Sequence, residues 1–204
     1  MSVSDTTTQG KGRRQLLSII ALFLLPPIAA WLAWSYLGEQ GVSATTNAGQ
    51  LISPPRPLDL QGLRSAQGTA AGNDLVTGRW TLVMFDDGGC RQDCEQQLYL
   101  TRQTRLAMNK DVSRVQRLLI FSASPKDGMV ERLAAEHPDL EWVVRDAATS
   151  ASLKPFQGEA FEPTGQQYFL VDPLGNLMMA YDLQVSPRGL MKDLQKLLKI
   201  SQVG

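Results

Sequence analysis

The 204-residue chain has two cysteines, one histidine and no excess of either charge sign: 20 Lys and Arg balance 20 Asp and Glu. Two cysteines are too few for a disulfide scaffold. A single histidine makes hydrolase chemistry of the usual kind hard to build, and there is no H-E-x-x-H and no Ser-His-Asp set. The chain also lacks a G-x-G-x-x-G turn, a Walker loop and any internal repeat. A formal net charge of zero leaves no broad basic footprint for nucleic acid, and none is expected as a partner.

Charge is missing altogether from residues 16–37. At 1.5 Å per residue this stretch spans about 33 Å, against about 30 Å of bilayer hydrocarbon. Lys11, Arg13 and Arg14 precede it and Glu39 follows, so the positive-inside rule places residues 1–15 in the cytoplasm and the rest of the chain outside. Trp31, Trp34 and Tyr36 gather at its outer end, as an interfacial aromatic belt does. A cleaved signal peptide would have a shorter apolar region and a clearer small-residue cleavage site, so a retained single-pass anchor is the better reading. On either reading the following domain meets an oxidising compartment.

Residues 38–57 are poor in apolar side chains and close on Ser53-Pro54-Pro55-Arg56-Pro57, which predicts a Pro-rich tether. The folded domain is expected over 58–204. Trp80 to Phe85 and Val115 to Ser122 read as buried strands, with a Gly- and Pro-free helical run from Cys94 to Asn109 between them. Asp127 is the expected N-cap of a helix ending at Glu136, and Trp142-Val143-Val144 is a third strand. Two apolar runs flank Asp172-Pro173-Leu174-Gly175-Asn176 as a hairpin, and Ser186-Pro187 opens a last helix. Strand, helix, strand, helix, strand, hairpin, helix predicts an α/β fold: a mixed central sheet flanked by helices on the thioredoxin plan.

The two cysteines, Cys90 and Cys94, follow the first buried strand directly, in Phe85-Asp86-Asp87-Gly88-Gly89-Cys90-Arg91-Gln92-Asp93-Cys94. On a regular helix residues four apart hold their Cβ atoms about 5–6 Å apart, and a disulfide needs about 3.5–4.5 Å. Cys90 must therefore lie just ahead of the helix for the bond to close. Gly88 and Gly89 make that path accessible. A closed disulfide and an open dithiolate suited to Cu(I) both remain open. Arg91 and the helix N-terminus favour thiolate, while Asp86, Asp87 and Asp93 oppose it. The bland alternative is a permanent staple. His137, at a helix end before Pro138, reads as a solvated C-terminal histidine, and Arg102 and Arg105 as a solvated helix face. Met178 and Met179 read as core fillers.

These motifs together resemble the Sco/SenC family of membrane-anchored thioredoxin-fold factors that assemble the copper site of cytochrome c oxidase. The family's strand, C-x-x-x-C and helix are matched by Trp80 to Leu98. Its D-P-x-x-D pattern is echoed by Ser124-Pro125-Lys126-Asp127, and its Y-L-x-D-P-x-G hairpin by Phe169 to Gly175. The resemblance implies a membrane-anchored protein with its domain on the periplasmic side of a bacterial inner membrane. Cys90 and Cys94 would be both redox-active and metal-ligating, with Cu(I) as cargo and an oxidase subunit or another thiol or copper protein as partner. The family's proline after each cysteine is replaced by Arg91 and Glu95. Its copper-ligand histidine falls at Thr164. Three readings follow: a Sco-like assembly factor, a membrane-tethered thiol–disulfide oxidoreductase without copper, and a non-catalytic thioredoxin-like binding module.

Overall fold

Every side chain of Trp80–Phe85 is buried, because this strand lies at the centre of a sheet covered on both faces. The computed structural model describes residues 6–39, 46–65, 68–145, 151–158 and 161–201. Residues 1–5 of the expected cytoplasmic segment and 40–45 of the expected tether lie outside the described residues.

The chain divides into an N-terminal helix and a domain that begins at Asn47. The helix, α1, spans Thr6–Glu39 and runs through Pro26 and Pro27. Its stretch Gly12–Ala33 is long and apolar enough to cross a membrane. Leu22 and Phe23 are 71% and 73% exposed. A helix apolar on all sides needs either a protein core or lipid around it.

Among its described residues the domain holds seven strands: β1 (Gln50–Pro57), β2 (Leu63–Ser65), β3 (Trp80–Asp86), β4 (Val115–Phe121), β5 (Leu140–Arg145), β6 (Gln167–Val171) and β7 (Asn176–Asp182). It also holds the α-helices α2 (Gln92–Leu106), α3 (Met129–Glu136) and α4 (Pro187–Ile200). The sheet order is β1-β7-β6-β3-β4-β5-β2. β3, β4 and β5 are parallel, while β6, β7, β1 and β2 join antiparallel to their neighbours. The mixed sheet and the expected element order are both present. The tether ends sooner than the sequence predicts, since Gln50–Pro57 is an edge strand paired with β7 rather than a spacer. Prolines are tolerated there because an edge strand need not donate on its outer side. The cap of α3 is Gly128, at φ 77°, and not Asp127.

Strand alternation sorts the core into two clusters. Leu82 and Met84 of β3 share one with Leu98 of α2, Leu133 of α3 and Leu190, Leu194 and Leu198 of α4. Each such leucine contributes about 2 kcal/mol by burial. Val83 and Phe85 face the other way, where Phe156, Phe161 and Phe169 pack edge to face around them. Ser186 caps α4 as expected, accepting from the Gly189 N–H. The buried Asp193 of α4 accepts from the N–H groups of Ala48 and Gly49 at 2.8 and 3.0 Å and from the Tyr181 hydroxyl at 3.3 Å.

A charge lies inside the first cluster. Arg117 of β4 is 0% exposed beneath α2. Its Nε donates to Thr101 Oγ1 and its Nη2 to the Leu98 carbonyl, while Nη1 meets Asp139 at 3.3 Å. Arg105 is not on a solvated face: it pairs with the same Asp139 at 3.4 Å and donates to the Val115 carbonyl. Burial lowers the Arg117 pKa, and Asp139 partly restores it. Removing one partner of a buried pair costs about 3–5 kcal/mol when the charge left behind is buried. Loss of Asp139 strands the fully buried Arg117, whereas loss of Arg117 leaves a carboxylate that is 24% exposed and still paired with Arg105. Asp139→Ala should therefore lower the thermal midpoint far more than Arg117→Met, and melting curves of the two variants compare them directly.

Candidate functional site

β3 ends at Asp86 and α2 begins at Gln92, so the chain must turn within five residues. Asp86 organises that turn. Its Oδ1 accepts from the N–H of Gly88 at 2.7 Å and of Cys90 at 2.9 Å. Gly88 has φ 93° and Cys90 itself takes φ 35°. Cys90 thus leaves the helical path, as the spacing requires, and its Cα lies 5.0 Å from that of Cys94 in a closed disulfide. Both cysteines are buried, at 6% and 3% exposure.

Two further loops hold this turn. Gly88 passes so close to the segment after β4 that a Cβ would stand 2.6 Å from the Ser124 carbonyl oxygen. The Gly88 carbonyl accepts from the Lys126 N–H at 3.0 Å, and the Asp86 carbonyl from the Ser122 N–H at 2.8 Å. Ser124-Pro125-Lys126 is therefore the rear wall of the site. On the opposite side Gly165, at φ 87°, lies against the Phe85 carbonyl, and Gln97 of α2 donates to the Gly165 carbonyl. That contact sets Thr164 and Gly165 beside Cys94. A cavity of about 360 Å³ is lined by Asp86, Asp87, Arg91, Cys94, Thr164 and Gly165 among others. A larger one, about 610 Å³, shares Asp93, Thr164 and Gln166 with it and adds the carboxylates of Glu162 and Asp182.

The electrostatics are less acidic than the sequence implies. Arg91 meets Asp87 at 2.5 Å. That hydrogen bond, and then the Gly89 N–H, hold the Asp87 carboxyl below its ordinary value. Asp86 is engaged by two backbone donors. The ligand atoms of Asp86, Cys90 and Cys94 lie within 4.8 Å of one another.

Of the residues singled out in the sequence, Cys90, Cys94 and Thr164 come together. His137 does not. It is buried at the end of α3, and burial first, then the charges of Arg117 and Arg102, lower its pKa. It is therefore not solvated, and it lines neither cavity. Asp172 to Gly175 is turn chemistry, with Asp172 Oδ1 accepting from the N–H groups of Leu174 and Asn176. Asp86, read only as a negative charge, and Gln97 were the residues whose roles the sequence hid. The Asp-Asp-Gly-Gly run at a strand end was the available signal for the first.

A parallel β3-β4-β5 core, a β6-β7 hairpin and a cysteine pair at the β3 exit define a thioredoxin-like domain. The chain belongs to the family described as transmembrane-like, thioredoxin-like, C-terminal domain, whose model matches residues 80–201. Comparison with curated protein sequences finds no match. Among solved structures, yeast Sco1 with copper bound is similar with a TM-score of 0.59 at 14% identity, over 73% of this chain and 96% of that one. Thermus thermophilus apo Sco1 gives 0.56 at 19% identity, over 76% and 99%. Bradyrhizobium japonicum ScoI with copper bound gives 0.52 at 20% identity, over 69% and 98%. At these identities the likeness is one of fold, and the fold is the one that the sequence motifs led us to expect.

An alanine at Gly88 must adopt a left-handed backbone at a cost of about 1–2 kcal/mol, and its methyl must displace the Ser124 carbonyl. Gly88→Ala should lower the melting midpoint and slow closure of the Cys90–Cys94 bond. Thiol quantitation during air reoxidation measures the second effect, and an unchanged rate would show that the turn does not need Gly88.

Proposed function

We propose that the protein is a membrane-anchored, Sco-like factor that exchanges the Cys90–Cys94 disulfide with a partner and handles Cu(I) as cargo through the same two sulfurs. The observation that supports this most is the closed pair at the β3–α2 junction, with Cys94 lining an open cavity. The basic residues Lys11, Arg13 and Arg14, in α1 ahead of its uncharged stretch, favour a domain on the periplasmic side of a bacterial inner membrane. A copper-site subunit of cytochrome c oxidase is the partner class that the family resemblance supplies.

The chemistry follows from the cavity. A partner thiolate approaches from the cavity that Cys94 lines and forms a mixed disulfide with Cys94 as the Cys90–Cys94 bond breaks. Cys90 leaves as a thiolate near the N-terminus of α2, where the unsatisfied N–H groups favour negative charge. A second partner thiol attacks the mixed disulfide and takes the partner's sulfur into a new disulfide. The partner dithiol is then oxidised and the pair reduced. Two soft thiolates can next accept Cu(I). The reverse sequence restores the resting disulfide.

A second reading, thiol exchange without copper, is favoured by one feature. The cavity that Cys94 lines also presents Thr164, whose hydroxyl is a hard and poor ligand for Cu(I). Thr164→His should raise Cu(I) affinity of the reduced protein by about tenfold or more, the scale on which metal sites respond to their surrounding groups. Competition against a chromophoric Cu(I) chelator measures this. Equal affinity in the two proteins would place copper elsewhere, and no Cu(I) uptake by either would leave the redox reading alone.

A further inference from the structure

We propose that reduction of Cys90 and Cys94 assembles a divalent-cation site in which Asp86 is the third protein ligand, with Zn²⁺ as the fitting ion. The proposal rests on the reading of the pair as reducible, and goes beyond it in assigning a ligand and a metal class.

Three observations carry it. The carboxylate of Asp86 and both sulfurs lie mutually within 4.8 Å. Zinc holds sulfur at about 2.3 Å and carboxylate oxygen at about 2.0–2.2 Å, so ligand atoms around one tetrahedral ion stand about 3.5–3.8 Å apart. In the closed form no pair of these atoms is more than about 1 Å beyond that spacing. Next, Asp86 is already oriented: Oδ1 is fixed by the Gly88 and Cys90 N–H groups. No hydrogen bond or ion pair of the described residues engages Oδ2. Backbone donors to one oxygen of a carboxylate are the outer contacts that orient a metal ligand. Finally, Asp86 and Cys94 line the same cavity as Thr164, which leaves a fourth coordination position open to water or to a partner ligand.

Charge decides the class of ion. Two thiolates and a carboxylate sum to three negative charges, and Arg91, which lines the same cavity, is already paired with Asp87. Cu(I) would leave two of those charges uncompensated, whereas a divalent ion leaves one. The carboxylate is hard, so it adds little to Cu(I) and much to Zn²⁺, which accepts sulfur and oxygen together. Asp86 is thus a selector between the two metals. In the full step a dithiol reduces the pair and becomes a disulfide itself. Zn²⁺ then binds and the two thiol protons are released. An ion that binds only the reduced form holds the pair reduced by mass action.

The test uses the full-length chain in detergent micelles, reduced with a dithiol and freed of it under anaerobic conditions. Zn²⁺ and Cu(I) are each titrated against a chromophoric chelator, in the native protein and in Asp86→Asn. Asparagine keeps the acceptor for Gly88 and Cys90 but loses the charged oxygen. The expected result is a Zn²⁺ affinity lowered about tenfold or more, with Cu(I) affinity changed less than about threefold. Retained Cu(I) binding in the variant shows that the turn is still formed. Glu131→Gln, at an exposed carboxylate of α3 that lines neither cavity, should leave Zn²⁺ binding unchanged. Equal loss for both metals, or no loss for Zn²⁺, overturns the assignment of Asp86 while leaving thiol chemistry intact. Failure of the dithiol to expose two titratable thiols overturns the redox reading and this proposal together.

Discussion

A disulfide between residues four apart cannot close on a regular helix, and much of the domain is arranged around that restriction. The chain must finish β3, reverse and begin α2 with the first cysteine still outside the helix. Asp86 meets this need by accepting from Gly88 and Cys90 with a single oxygen. The loop after β4 then has to approach within van der Waals range of Gly88, and the loop before β6 has to lie against Phe85. The pair is thus supported by the ends of three adjacent strands, β6, β3 and β4, through backbone contacts and two side chains, Asp86 and Gln97. Arg91, Glu95 and Thr164 carry none of these supports and are free to vary, which is how they can stand where the Sco pattern has other residues.

That freedom also explains what could be read in advance. The strands β3 and β4 were legible because burial on both faces leaves continuous apolar runs, and the β6–β7 hairpin because Asp172 to Gly175 has to make a specific turn. The need for Cys90 to precede the helix followed from distances alone. β1 was hidden because Pro54, Pro55 and Pro57 mark a spacer by composition, and only the outer, unpaired side of a sheet edge makes them acceptable. Its register shifts between Leu51 and Arg56, where the prolines sit.

The charged residues were misread for a related reason. A sequence shows that His137 ends a helix and that Arg105 recurs at a helical interval, but not that Asp139 in a distant turn draws Arg105 and Arg117 under α2. Long-range ion pairing leaves no periodic trace. The consequence for the site is direct: Leu98 and Thr101, which Arg117 grips, lie one to two turns along the helix from Cys94. The position of that helix on the sheet is fixed polarly beneath and apolarly on its flanks.

Asp193 gives the domain a mechanical property. Its carboxylate fastens Ala48 and Gly49 to α4, and β1 continues from them along β7. A pull on the chain upstream of Asn47 is therefore taken up first at this fastening and then by the antiparallel β1–β7 ladder. β3 lies two strands inward of β7 in the sheet order, shielded by β6. Traction from the membrane side would be spent at the rim of the sheet before it reached the strand that presents the cysteines.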